Sequence, residues 1–378
     1  MAVSRMSDTR EPVLREVAFE DFRGVEALAA QIGLGSALPE RWRRMWRDNP
    51  ALQAGGAELP MGWVLEVGKT IVGYLGCIPL LYDYDGRTLL AVAASAFGVL
   101  PPYRGYSLKL AAAFYRLGAP DLFLNTTANE AAGKVSRLFG ASPIPQRDYD
   151  RVLFWVLQAP AFLGAYLRKL KYGSLTASMA GHLLSGLLRC EMKLRERGPH
   201  RTTNAADLDL LEPHRIGSEF DDLWHRKTHE RKRLLGYRTA QVLRWHFGWL
   251  PHFQRGTIIA ARRAGKLAGY AAIIREQVAE VGLIRSRVVD IIVERDDQQV
   301  LDQLLERAYQ LAESDGSHVL ELWGFPKNVR ERFLAWNPYS RPVPAWPFFY
   351  KVRNSQLRSE LQAEDIWYAS LYDGDGSL

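Results

Sequence analysis

The sequence predicts an α/β (α+β) protein made of two domains, each a mixed, mostly antiparallel sheet flanked by helices, joined by a helical basic segment. Three observations carry this. The chain has 378 residues, 47% of them hydrophobic, which is enough for two separate cores. Strand and helix signals run in one order through residues 1–158 and return in the same order after 201, as an internal duplication does. Between the two copies lies a stretch with its own composition, rich in Leu, Lys and Arg. The expected organisation is therefore an amino-terminal domain at 1–158, a connector at 159–200, a second domain at 201–354 and a tail at 355–378.

The first copy reads as follows. Residues 13–17 form a short strand, and 20–31 a helix with Val25, Leu28 and Ala29 on one face. Residues 41–47 carry Trp42, Met45 and Trp46 at helical spacing. Three strands follow at 62–67, 70–84 and 88–99, separated by Gly68-Lys69 and Asp85-Gly86, both hairpin signals. A helix is expected at 107–117, a buried strand at 121–125, a helix at 129–139 and a closing strand at 151–157. In the second copy, helices at 219–228 and 239–247 precede strands at 256–261 and 267–274, joined through Ala264-Gly265. A strand at 287–293 and a helix at 298–313 come next, the helix striped by Leu301, Leu304, Leu305, Ala308 and Leu311. A strand at 319–323, a helix at 328–336 and a closing strand at 348–352 complete the copy.

Composition excludes disorder, collagen and a disulfide-stapled scaffold. Cys77 and Cys190 are too far apart in sequence to suggest a metal knuckle or a redox pair and fit a reducing compartment. Residues 1–20 are charged, with no secretory apolar core, and no stretch reaches the length of a membrane span, so a soluble, cytoplasmic protein is expected. The chain carries 49 Lys and Arg against 42 Asp and Glu, a net charge of +7. Residues 159–198 hold seven basic residues and two acids, leaving only +2 for the rest of the chain. A nucleic-acid enzyme spreads its basic residues over a working face, so this confinement argues against nucleic acid. Two basic amphipathic helices at 160–171 and 175–193 suit a packed linker, an anionic membrane surface or an acidic partner such as an acyl carrier protein.

Chemistry concentrates after the strand at 88–99. There the sequence runs Val99-Leu100-Pro101-Pro102-Tyr103-Arg104-Gly105-Tyr106-Ser107-Leu108-Lys109. A helix start presents unpaired N–H groups and a positive dipole end, which suits a pyrophosphate. The segment resembles the V-x-P-x-x-R-G-x-G-x-G signature of the GNAT (acyl-CoA N-acyltransferase) family. Val99, Pro101, Arg104 and Gly105 match, while Ser107 and Lys109 replace the later glycines. A second partial match follows the next strand. The family's N-x-x-A-x-x-x-Y-x-x-x-G-F is met by Asn129, Ala132 and Gly140, with Ser136 in place of the Tyr and Ala141 in place of the aromatic. The order of elements extends the resemblance over nearly the whole chain, as two tandem domains.

The resemblance implies acetyl-CoA or a longer acyl-CoA as co-substrate, with its phosphates on Arg104, Gly105, Tyr106, Ser107, Leu108 and Lys109. Backbone N–H groups near Gly98, Val99 and Leu100 would polarise the thioester carbonyl, and Asn129 would contact the pantetheine arm. Asn129 also reads as a helix cap. The family's Tyr can protonate the departing thiolate, and a Ser hydroxyl is a far weaker acid. The strand at 88–99 contains Ser95 but no carboxylate base. The candidates for proton transfer are thus Ser95, Ser136, His225 and His229. His225 and His229 have the i, i+4 spacing of a metal pair, but no third ligand is placed and no metal is expected. In the second copy Glu294-Arg295-Asp296-Asp297 stands where the phosphates would lie, which excludes it as a cofactor site and makes Asp296 and Asp297 helix caps. The expected reaction is direct attack of a small-molecule amine on the thioester of acyl-CoA or of an acyl carrier protein. Transfer of an aminoacyl group from charged tRNA, as in Fem-type enzymes, and a non-catalytic binding module stay open. The aromatic tail through Trp367, Tyr368 and Tyr372 is expected to dock, and Asp373-Gly374-Asp375 to be exposed or to meet a cation or polyol.

Overall fold

Alternating apolar residues and tight turns build the amino-terminal sheet. In the computed structural model, which describes residues 11–34, 38–53, 58–199 and 206–378, β1 (Val13–Glu16) leads into α1 (Phe22–Ile32), α2 (Pro39–Trp46) and the short α3 (Pro50–Gln53). Then come β2 (Gly62–Val67), β3 (Thr70–Tyr84) and β4 (Arg87–Val99). Asp85 and Gly86 both have positive φ (57° and 74°), the geometry of the turn expected there. A 3-10 turn at Pro101–Tyr106 enters α4 (Ser107–Tyr115), followed by β5 (Leu122–Asn125), α5 (Glu130–Leu138) and β6 (Ser142–Pro143).

The chain continues with β7 (Arg151–Val156), α6 (Ala159–Lys169), α7 (Ser174–Leu194) and β8 (Asp207–Leu211). Next are α8 (Glu219–Thr228), β9 (Leu234–Gly236), α9 (Ala240–Phe247), β10 (Gln254–Arg263), β11 (Lys266–Val278) and β12 (Leu283–Val293). The last elements are α10 (Gln298–Ser314), β13 (Val319–Leu322), α11 (Lys327–Leu334), β14 (Tyr339–Pro342), β15 (Phe349–Val352) and α12 (Ser355–Glu360). Ala264 (φ 48°) and Gly265 (φ 76°) form the expected turn between β10 and β11.

Two compact units result. One comprises the described part of Met1–Tyr82 with Thr88–Ile144 and Ala345–Glu360, and the other Asp83–Arg87, Pro145–Pro344 and Leu361–Leu378. The sheet of the first unit follows the order β1-β2-β3-β4-β5-β15-β6, and that of the second β14-β7-β13-β12-β11-β10-β8. Each sheet contains a parallel pair, β4 with β5 and β12 with β13, among antiparallel ones.

The closing strands correct the sequence reading. Residues 151–157 were expected to close the first copy and 348–352 the second, but the two are exchanged. β7 pairs with β13 and β14, placing Leu153 and Trp155 in the second unit's core with Tyr270, Leu304 and Phe333. β15 pairs with β5, placing Phe349 in the first unit's core with Leu65, Val92, Leu110 and Phe123. A short strand is recognised by alternation alone, and alternation does not say which sheet receives it. Each such aromatic contributes about 1.5–3 kcal/mol through burial, so the exchange fixes which core owns that energy.

The connector and tail also depart from expectation. The connector helices lie wholly within the second unit, and its expected end at 200 falls outside the described residues. They cross with backbones almost touching. A Cβ on Gly181 would stand 2.7 Å from the Pro160 carbonyl oxygen and 2.9 Å from the Gly164 nitrogen. The face of α7 turned inward carries Ala177, Gly181 and Ser185, while its leucines face solvent. In the tail, Trp367, Tyr368, Leu371 and Tyr372 are buried, as expected of a docked segment. Asp373 is buried too, and accepts the Ser370 N–H at 2.9 Å instead of meeting a cation or polyol from outside.

Candidate functional site

The site in the first unit is built where two parallel strands part. The β4–β5 register runs from Ala91↔Leu122 to Ala93↔Leu124, and β4 continues past the end of β5 toward Val99. Within that continuation Ala96 takes φ 52°, a left-handed conformation that an alanine adopts only when its surroundings hold it there. Ala96 is exposed beside the buried Ser95. Alanine gives no local signal for such a residue, and sequence reasoning missed it.

The signature residues fall into two groups. Arg104 and Gly105 are exposed in the 3-10 turn, and Arg104 makes no ion pair among the described residues. Nothing lies within 4 Å of a Cβ built on Gly105, so the turn faces open space. Tyr106 and Ser107 are half-buried, Leu108 is exposed, and the Ser107 N–H donates to the Arg104 carbonyl. The second group is occupied by other contacts. Leu100 was expected to offer its N–H to a thioester, but that N–H donates to the Val72 carbonyl at 2.8 Å. Val99 is buried, and Ile32 Cδ1 lies 2.2 Å from where a Cβ on Gly98 would stand. A side chain at 98 would thus collide with α1, so the absence of a Cβ there serves the packing of α1 over β4. Lys109 donates to Glu11 at 2.7 Å and lies 5.0 Å from the centroid of the Tyr106 ring. That exposed pair is weakly held, because water screens it.

Between the end of α4, the end of β5 and α5 lies a neutral cluster. Tyr115, at the end of α4, donates its hydroxyl to Ser136 Oγ at 3.1 Å, and Asn125, the last residue of β5, donates its Nδ2 to the same oxygen at 3.1 Å. All three are buried. Burial raises the Tyr115 phenol above its ordinary value, and the Ser136 hydrogen bond works against that rise. Ser136 thus stands where the family's Tyr was sought, and a phenol reaches it from a different helix. A tyrosine at position 115 looks like core in the sequence, since the apolar face of α4 also carries Leu110, Ala111 and Phe114. Asn129 caps α5 by accepting the Ala132 N–H at 2.9 Å, and its side chain is otherwise on the surface.

The matching junction of the second unit is filled by charge. Asp296 accepts from Lys227 Nζ at 2.7 Å and pairs with Arg233, while Lys227 also donates to Glu230 at 2.8 Å and to the Val293 carbonyl at 2.6 Å. Asp297 caps α10 through the N–H groups of Gln299 and Val300. Asp296, expected to share that capping, is instead the hub of the ion pairs. Burial opposes its charge, but Arg233 and Lys227 outweigh it and hold its carboxyl below the usual carboxylate range. His225 and His229 are exposed on α8 with ring centroids 4.3 Å apart, and His229 Nδ1 is tied to the His225 carbonyl at 2.7 Å. Among the described residues no three His, Cys, Asp or Glu side chains gather as metal ligands.

No family model and no curated protein matches this sequence. Solved structures do. A GCN5-related N-acetyltransferase from Anabaena variabilis is 10% identical, aligned over 91% of this chain and 73% of that one, with a TM-score of 0.52. A conserved protein of unknown function from Enterococcus faecalis, described as a probable N-acyltransferase, is 9% identical over 90% and 72%, with a TM-score of 0.55. Saccharomyces cerevisiae N-myristoyltransferase, solved with myristoyl-CoA and inhibitors, is 12% identical over 93% and 83%, with a TM-score of 0.56. Among the described residues no helix is long and apolar enough to cross a membrane. At these identities the likeness speaks to architecture, and with two parted sheets each flanked by helices the chain has the GNAT fold, present twice.

Proposed function

We propose that the chain is an N-acyltransferase that moves an acyl group from acyl-CoA to the amine of a small-molecule acceptor. The observation that carries this reading is the contrast between the two strand-to-helix junctions. In the first unit the chain after β4 enters an open turn with a cation, Arg104, that makes no ion pair among the described residues, whereas carboxylates and their cations fill the second. The Arg104 guanidinium and the start of α4 would take the pyrophosphate. The acyl thioester would lie along the gap, near the turned backbone at Ala96. Attack by the amine nitrogen forms the C–N bond and breaks C–S. The thiolate takes a proton from the Tyr115 hydroxyl, which Ser136 and Asn125 hold in place, and the proton shed by the nitrogen balances it.

Calorimetry with acetyl-, medium- and long-chain acyl-CoA tests the reading, followed by release of free CoA thiol in the presence of a panel of amines. Binding with amine-dependent thiol release is the expected result. Failure to bind any acyl-CoA, with salt-sensitive binding of charged tRNA, would move the chain to aminoacyl transfer. Binding without turnover would make it a binding module.

A further inference from the structure

We infer that the α6–α7 hairpin rests its outer face on an anionic phospholipid surface, an interaction independent of the acyl-transfer reading. The helices are turned with small residues inward, since Ala177, Gly181 and Ser185 face α6. The opposite side of α7 carries Leu175, Met179, Leu183, Leu187 and Leu194, each 68–85% exposed. They form a ridge of unbranched or γ-branched side chains about 28 Å long. Soluble proteins seldom leave so continuous an apolar row in water.

Charge decides what covers it. Between Lys171 and Arg189 the sequence holds no Asp, Glu, Lys or Arg, and cations stand at both ends, Lys169 and Lys171 before the ridge and Arg189 and Lys193 after it, where Glu191 is taken up by Arg195 and Arg197. An uncharged apolar centre with cationic ends suits a helix lying in the lipid interface, where leucines reach the acyl boundary and Lys and Arg reach headgroups. An acidic protein partner would instead call for cations along the ridge itself. A cleft of about 560 Å³ opens beside the ridge, lined by Gln158, Arg168, Ser178, His182 and Arg189 and by no carboxylate. Ser178 and His182 lie one helical turn apart and Arg189 two turns further on, so they share one side of α7, and this side offers donors to a phosphate headgroup. Both ends of the hairpin are tied to the rest of the second unit. Arg168 Nε donates to the Val281 carbonyl at 2.7 Å, and Arg197 stacks 3.9 Å from the centroid of Tyr339 while pairing with Glu191. A ridge too short and too interrupted to span a bilayer, but fixed outward, is suited to lie on one.

Flotation of the full-length protein with vesicles of phosphatidylcholine alone, and with about 30% phosphatidylglycerol, tests this. Binding is expected only with the anionic lipid. L183D/L187D should weaken it at least ~100-fold, since each buried Leu is worth more than tenfold. K169E/K171E/K193E should weaken it by a similar factor, each cation contributing roughly fivefold. All five positions are exposed, so both variants should keep the wild-type melting temperature, which scanning calorimetry checks. Absence of flotation, or flotation untouched by both variants, overturns the inference. So does a concentration-dependent dimer dispersed by L183D/L187D, which would assign the ridge to self-association. Displacement from the vesicles by an acidic acyl carrier protein would assign it to that partner and overturn the inference as well.

Discussion

After β4 the chain enters its helix through Pro101–Tyr106, a turn with one cation, no carboxylate and open space beside Gly105. After β12 it enters the corresponding helix through Glu294–Asp296, where Arg295 and Asp296 have positive φ (54° and 51°) and Lys227 and Arg233 close on the acid. The two junctions share one topology, a parallel pair that parts before a helix starts. One leaves its helix start free of carboxylates and open beside Gly105. The other spends the same geometry on internal ion pairs. The cores differ in the same sense. Among the described residues the first unit holds the neutral trio Tyr115, Asn125 and Ser136, along with other buried polar side chains such as Asn49, whereas the second buries Arg238 against Asp290 at 2.9 Å. Burial works against the Arg238 charge, but Asp290 and Asp373 more than restore it and raise its pKa. The lesson is that duplication preserved the scaffold while its polar positions took separate roles, one copy closed by charge and one left open.

This contrast can be broken at its strongest point first. Asp290→Ala takes from the buried Arg238 the nearer of its two carboxylates and should cost about 3 kcal/mol in urea denaturation, whereas Tyr115→Phe, in the neutral cluster, should cost only about 1 kcal/mol. Next is the turn itself. Arg104→Glu should weaken acyl-CoA binding roughly 100-fold by calorimetry, and Arg295→Glu should change it by less than about twofold. Equal losses at both positions would erase the distinction between the copies. Tyr115→Phe sharpens the comparison in a different way. Turnover should fall by roughly 10–100-fold with acyl-CoA affinity unchanged, because only the proton to the thiolate is removed.

The smallest effect lies at Asp297. Burial raises its pKa, but the N–H groups of Val300 and Gln299 and the Arg263 guanidinium prevail and lower it. A carboxyl depressed in the folded state contributes stability above its unfolded value, and that contribution fades as pH falls through the folded value. Asp297→Asn keeps a capping side chain and loses only the charge. It should therefore cost about 1 kcal/mol or less near neutrality and nothing below roughly pH 3 in thermal melts across that range.

Much of this was legible beforehand. Asp85-Gly86 and Ala264-Gly265 announced their hairpins because few dipeptides take positive φ readily. The α10 stripe and the signature around Arg104 and Gly105 stood out because periodicity and helix starts are local properties. Other features depended on contacts far along the chain. Val72 takes the Leu100 N–H, Ile32 covers Gly98, Glu11 holds Lys109, and Ser136 is met by a phenol from another helix. Strands β8 and β14 escaped notice since they are short, and β14 ends in proline.

By itself the sequence determined the type and order of the main elements, the repeat, and the difference in charge between the two junctions, since each rests on residues within a turn or two of one another. Tertiary structure alone decided that β7 and β15 change sheets, that α7 turns Gly181 inward and its leucines out, and which tyrosine reaches Ser136. The reason is that a strand's alternation and a helix's stripe specify which faces must be covered, while the covering partner is chosen by the global packing of distant segments.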